Sequence, residues 1–241
     1  MGPDYLVDAG NTTCKVVATP AGVLGTIFRY DLISLPRELT LPGLWVVLAG
    51  SNLEVLNQWQ IEIQGWGSKA QLLTRDKIPI LKAMEDPSTV GVDRLLVCLG
   101  AQVLHGKGPH LVVDSGTAIT ANLLGDDGHF YGGAIGPGFG LMNRALAEKT
   151  SALFEVDLHK PFAKFPASTT RDAIRLGVQM AAVGFVRQAW EWAREKFPNC
   201  PLHLTGRDAP LLHTNFPSAN LNEQLLFHGM LATLHTPLGT P

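Results

Sequence analysis

Twice along this chain of 241 residues an apolar strand runs into an aspartate, a small residue, a glycine and then a hydroxyl- or amide-bearing side chain. The first run is Tyr5-Leu6-Val7-Asp8 followed by Ala9-Gly10-Asn11-Thr12; the second is Leu111-Val112-Val113-Asp114 followed by Ser115-Gly116-Thr117. Lys15-Val16-Val17-Ala18 and Ala118-Ile119-Thr120 read as returning strands, so each run predicts a hairpin with an acid at its tip. One such hairpin says little, because Asp and Asn stabilise tight turns without any ligand. Two of them, with acids 106 positions apart, predict a duplicated unit. Dividing the length by ~150 residues per domain gives a value between one and two, which two small halves satisfy.

The paired hairpins have a chemical use. Gly10 lets backbone amides approach a phosphate, Asn11 and Thr12 add donors, Lys15 supplies a point charge, and Asp8 can orient a hydrated Mg²⁺. Asp114, Gly116 and Thr117 would hold the other side of the same polyphosphate across a cleft. Between the hairpins, Asp93-Arg94-Leu95-Leu96-Val97 opens an apolar helix running to about His105, with Asp93 as its N-cap. A helix-start Asp is commonly a cap. It is also a possible general base for an attacking hydroxyl, and the adjacent Arg94 could clamp a substrate carboxylate. Further on, Gly132-Gly133-Ala134-Ile135-Gly136-Pro137-Gly138 reads as a glycine-rich turn feeding a helix from Phe139 to Lys149. Ser168-Thr169-Thr170-Arg171-Asp172 caps a long helix that Pro198 stops. Its middle, Gly177 to Val186, is apolar nearly all round and suits a buried or subunit-interface helix. Strands alternating with helices predict an α/β fold.

Composition removes other function classes. Apolar residues make up 46% of the chain and charged ones 17%, which supports a large core. A net charge of -2 advertises no nucleic-acid surface. Cys14, Cys98 and Cys200 form no C-x-x-C pair and leave an odd one over, which predicts a reducing, cytoplasmic setting. The N-terminus lacks the pattern of a signal peptide, and no run is long and apolar enough to predict a membrane span. Gly65-Trp66-Gly67-Ser68-Lys69 lacks P-loop spacing, the eight histidines lack ligand spacing, and Trp190 and Trp192 read as packing residues, so no transition metal is expected.

The ordered set of Asp8 to Lys15, Gly91-Val92-Asp93-Arg94, Asp114 to Thr120, Gly132 to Gly138 and Thr169-Thr170 closely resembles the type III pantothenate kinases. The likeness runs from about residue 4 to residue 210 and is weakest between Gly25 and Pro79. It implies an actin-like ATPase fold of two ribonuclease-H-like halves, with mixed sheets flanked by helices around a central cleft. The halves are expected at 1–109 and 110–241, the second carrying the dimerisation helices of a homodimer. Carried over by position, Asp93 resembles the general base acting on the primary hydroxyl of pantothenate. Gly91, Val92, Arg94 and, from a neighbouring subunit, Thr170 resemble pantothenate contacts. Asp8, Gly10, Asn11, Thr12 and Lys15 look like one ATP loop; Asp114, Gly116 and Thr117 look like the other, with Gly132, Gly133 and Gly138 near the nucleotide. Asp8 and Asp114 are the implied metal residues; ATP, Mg²⁺ and a monovalent cation, K⁺ or NH₄⁺, are the implied cofactors. Three positions depart from the family pattern: Asn122 for a second Asp, Met84 for a tyrosine, and Arg207 in the usual Thr-Gly-Gly. They bear on the cation, substrate and nucleotide sites respectively. A kinase of the same fold for another small alcohol, or a catalytically weak regulatory or binding homologue, are the alternatives.

Overall fold

Both acid-tipped hairpins form, and each seeds a five-stranded sheet of the same plan. The structure, a computed structural model, describes residues 2–161 and 164–235. β1 (Tyr5–Ala9) and β2 (Thr13–Ala18) pair antiparallel with Asp8 opposite Lys15. β3 (Ile27–Asp31) continues this meander, while β4 (Trp45–Gly50) and β5 (Lys69–Leu72) add in parallel on the other side, giving the order β3-β2-β1-β4-β5. In the second half β6 (His110–Ser115), β7 (Ala118–Leu124) and β8 (Phe130–Pro137) form the meander. β9 (Leu202–Thr205) and β10 (Asn220–Leu221) add in parallel, so that β8-β7-β6-β9-β10 repeats the first order strand for strand. The duplication is therefore carried by topology, although the intervening sequences differ.

Burial follows from position in the sheet. β1 is central, with helices over its sheet, and Leu6, Val7 and Ala9 are fully buried, as a strand covered on both faces requires. The parallel step from β4 to β5 needs a crossover, supplied by α1 (Leu53–Gly65). Asn52 caps α1 by accepting from the Val55 N–H at 3.2 Å, and Leu56, Trp59 and Ile63 form the stripe that packs with Val7 and Leu48. In the second half, α3 (Phe139–Lys149) and α4 (Thr170–Lys196) cover the sheet, with Phe139, Ile174, Val178 and Val186 packed with Val113, Ile119 and Leu204. The Thr169 hydroxyl accepts from the Asp172 N–H at 3.1 Å, the expected cap of α4. The apolar middle of α4 is two-sided: Val178, Ala182, Val183 and Val186 are buried, whereas Gly177, Met180, Ala181 and Gly184 form an exposed stripe.

The chain divides into two compact units, Met1–Gly106 with Gln224–Pro241, and Lys107–Glu223. The expected halves, 1–109 and 110–241, thus need a correction at the C-terminus: the last helix, α6 (Leu225–His235), rejoins the first unit, and residues 236–241 lie outside the described ones. The reason is a close helix crossing. α6 packs on α2 (Val92–His105), where a Cβ on Gly100 would lie 1.9 Å from the Leu225 carbonyl oxygen. A Cβ on Gly229 would lie 2.0 Å from the Leu96 carbonyl oxygen, so only glycine fits at either side of the contact. A second correction concerns Gly132 to Pro137, expected as a turn: it is the strand β8, and it runs directly into α3. No helix among the described residues is long and apolar enough to cross a membrane.

Candidate active site

In the first unit, β1 delivers Asp8 to the end of a central strand, where its buried carboxylate meets Lys15 Nζ at 2.9 Å. The Gly10 N–H donates to the Thr13 carbonyl at 3.1 Å and closes the turn, leaving Asn11 and Thr12 exposed at its tip. The predicted phosphate loop Asp8, Gly10, Asn11, Thr12 and Lys15 is thus one continuous structure.

Asp93 comes to the same unit by a different route. The N-cap of α2 is Gly91, and Asp93 is the second helical residue rather than the cap expected from sequence. Gly91 has no side chain to cap with, and the Asp93 carboxylate folds back over the helix start, accepting from the Arg94 N–H at 2.9 Å. A Cβ on Gly91 would lie 2.3 Å from Asp93 Oδ1, so a side chain there would push the Asp93 carboxylate from its place. Burial, and then the negative charge of Asp8, push the Asp93 carboxyl above the ordinary carboxylate range, partly opposed by the Arg94 N–H and guanidinium. Two acids 85 positions apart are therefore within electrostatic reach, and the one with the raised affinity for a proton has the properties of a general base. Arg94 itself is held below the usual arginine range by burial. Burial pushes the Cys98 thiol up to about 12, and Cys14 and Cys200 to about 11, so the three free cysteines are poor nucleophiles.

The second unit repeats the loop. Asp114 stands at the corresponding place on β6, the Gly116 N–H donates to the Ala118 carbonyl at 2.9 Å, and the Gly138 N–H donates to the Thr117 carbonyl at 3.0 Å. A Cβ on Gly138 would fall 2.1 Å from the Gly116 carbonyl oxygen, so Gly138 belongs to this loop by contact. Gly132 and Gly133 do not: they pair with Leu123 and Asn122 inside the β7–β8 ladder, about five residues, or ~16 Å of strand, from Gly138. Gly133 would drive a Cβ to 1.8 Å from the Ala121 carbonyl oxygen, so its glycine serves sheet packing. Asn122 is fully buried and donates to Thr120 Oγ1 at 2.9 Å and to the Val112 carbonyl at 3.3 Å. Thr170 is the exposed first residue of α4.

Sequence reasoning missed Asp208. It follows β9, its N–H donates to the Ser115 carbonyl at 2.9 Å, and its Oδ1 accepts from Arg207 Nε at 3.1 Å. Its Oδ2 and the Ser115 hydroxyl are buried without a hydrogen-bond partner among the described residues. Thr205 lies opposite Asp114 across the β6–β9 ladder, and a Cβ on Gly206 would lie 2.3 Å from Asp114 Oδ1 and 2.5 Å from the Ser115 carbonyl oxygen. The Thr-Gly-x-Asp run after a strand was the available signal. Arg207 is spent on Asp208 through Nε, and its side chain is half exposed.

The family model of the type III pantothenate kinases matches residues 49–192, more than half of the chain. A type III pantothenate kinase from Azoarcus sp. (strain BH72) is 34% identical over 76% of this chain and 72% of its own length. One from Janthinobacterium sp. (strain Marseille) is 29% identical over 96% and 95%. Among solved structures, a Campylobacter jejuni protein described as a Baf family transcriptional activator aligns with a TM-score of 0.68 and 20% identity over 95% of this chain and 96% of that one. The ethanolamine utilization protein EutJ from Carboxydothermus hydrogenoformans aligns with a TM-score of 0.52 and 13% identity, over 97% and 89%. These likenesses concern the fold, which is α/β with two ribonuclease-H-like halves of the actin-like ATPase kind. By its family match and its relatives, this chain is a member of the type III pantothenate kinase family.

Proposed function

We propose that this chain phosphorylates pantothenate at its primary hydroxyl with ATP, giving 4′-phosphopantothenate and ADP, the first step of coenzyme A biosynthesis. The observation that carries the reading is the Asp93 carboxylate, held on the Gly91–Arg94 turn with a raised proton affinity beside Asp8. In the reaction the pantothenate oxygen bonds to the γ-phosphorus as the bond to the bridging oxygen of ADP breaks. Asp93 takes the hydroxyl proton, and Arg94 binds the pantothenate carboxylate, with Gly91 and Val92 shaping the turn. Asp8, Gly10, Asn11, Thr12 and Lys15 form the ATP loop of the first unit, and Asp114, Gly116, Thr117 and Gly138 form the ATP loop of the second.

The donors present fit hard cations. Asp8 and Asp114 end equivalent strands, and Asp114 Oδ1 and the Ser115 carbonyl face the Gly206 backbone, an oxygen set suited to Mg²⁺ or K⁺. When bound, such a cation neutralises charge on the transferring phosphoryl group. The Asn122 amide nitrogen donates to two oxygens inside the sheet, and K⁺ or NH₄⁺ is assigned to the Asp114 end, where a carboxylate is present. Thr170 would act on the pantothenate of a second subunit. The exposed Gly177, Met180, Ala181 and Gly184 stripe of α4 supports a homodimer, and three free cysteines support a cytoplasmic setting. The test is Asp93→Asn in a coupled ADP-release assay: loss of turnover with an intact fold is expected, and near wild-type turnover would remove Asp93 from its role.

A further inference from the structure

The connection between β5 and α2, residues 73–91, is long and carries two single turns of 3-10 helix, Arg75–Lys77 and Pro87–Thr89. Its far end is Gly91, against which the Asp93 carboxylate rests. One side chain ties the two ends together. Arg75 Nε donates to the Val90 carbonyl at 2.6 Å, across 15 positions of sequence, and Val90 is itself buried. The Arg75 carbonyl in turn accepts from Lys82 Nζ at 3.4 Å. Lys82 is held below its usual range by burial and then by the Arg75 charge. Asp86, which caps the second 3-10 turn through the Ser88 N–H, also feels that charge. The guanidinium therefore sits at the hub of the connection, with its firmest bond on the residue before Gly91.

We propose that Arg75 is a positioning residue for phosphoryl transfer: by holding the Val90 carbonyl it fixes the Gly91–Arg94 turn and thereby the place of the Asp93 carboxylate. It acts through the backbone, by its bond to the Val90 carbonyl. The proposal rests on the reading of Asp93 as the base. A carboxylate displaced by about 1 Å can cost on the order of a hundredfold in rate. The ATP loops, built on other strands, should be untouched.

The test is steady-state kinetics of Arg75→Ala and Arg75→Lys with pantothenate and ATP varied separately, alongside thermal unfolding and Asp93→Asn as a reference. The Lys ammonium reaches one bond beyond Arg Nε and can still meet the Val90 carbonyl. Arg75→Ala should lower kcat about tenfold or more with KM for ATP within about twofold of wild type, and Arg75→Lys should restore most of the loss. A wild-type kcat for Arg75→Ala would overturn the proposal. So would a loss that Arg75→Lys does not repair, or one that appears only as a higher KM for ATP or a collapse of Tm in both variants. If Asp93→Asn remains active the reading of the base fails; if Asp93→Asn is dead while Arg75→Ala is normal, only the role of Arg75 fails.

Discussion

Gly138→Ala puts a single methyl group into the second phosphate loop. The added Cβ would lie 2.1 Å from the Gly116 carbonyl oxygen and 2.7 Å from that of Thr117, where ordinary contact begins at 3.4 Å. Both obstacles are backbone, so no side chain can swing away; the loop or the start of α3 must retreat by about 1.3 Å, the difference between 3.4 and 2.1 Å. The Gly138 N–H to Thr117 bond at 3.0 Å would stretch with it. Overpacking of this kind costs about 1–3 kcal/mol of stability, which the sheet can absorb. The functional cost is larger, because misplacing phosphate-binding groups by about 1 Å lowers the rate on the order of a hundredfold. Initial rates of ADP release with ATP varied at saturating pantothenate should therefore show kcat/KM for ATP down about a hundredfold in a folded protein. Pantothenate binding by calorimetry should be little changed. Wild-type kcat/KM for ATP would refute the assignment of Gly138 to the nucleotide loop.

Four other outcomes follow from the same structure. Because the folded-state affinity of Asp93 for a proton is raised, activity should be present at high pH and decline as pH falls through a midpoint above the ordinary carboxylate range. The same sign makes ionised Asp93 a burden on folding: the stability it contributes is full below its unfolded pKa and lost as pH rises through the folded one. Asp93→Asn should thus melt higher than wild type near neutral pH, and a lower Tm would contradict this. Gln179 is fully buried in α4 with neither amide atom hydrogen-bonded among the described residues, so Gln179→Met should stabilise the fold by about 1–2 kcal/mol in denaturant titration; destabilisation would show that the amide has a use. Gly100→Val, driven into the Leu225 carbonyl where α2 meets α6, should destabilise the first unit by about 3 kcal/mol or more, and unchanged melting would dispute the crossing.

Sequence signals were strong where they were local. The hairpins at Asp8 and Asp114, the span of α3 and the Thr169 cap of α4 all rest on neighbours within a few residues, and the structure follows them. The return of α6 to the first unit rests on Gly100 meeting Leu225 and Gly229 meeting Leu96, contacts between residues more than a hundred positions apart that no local pattern announces. Glycine misled twice for one physical reason. At Gly91 it left the cap position without a side chain, so the neighbouring Asp93 looked like the cap. At Gly133 it answered close approach within a sheet and at Gly132 a backbone φ of 95°, both of which read in sequence like a turn. Asp208 and Arg75 escaped notice because each is a single polar residue in a connection, and its value appears only once the partner carbonyl, Ser115 or Val90, is beside it.

The central claim is tested most directly by mass-spectrometric detection of product from the purified chain with ATP, Mg²⁺ and pantothenate, in potassium, ammonium and cation-free buffers. The account predicts stoichiometric 4′-phosphopantothenate and ADP with pantothenate, and little product with pantothenyl alcohol, which lacks the carboxylate assigned to Arg94. Absence of phosphorylated product in every buffer, or equal turnover of the alcohol, would contradict it.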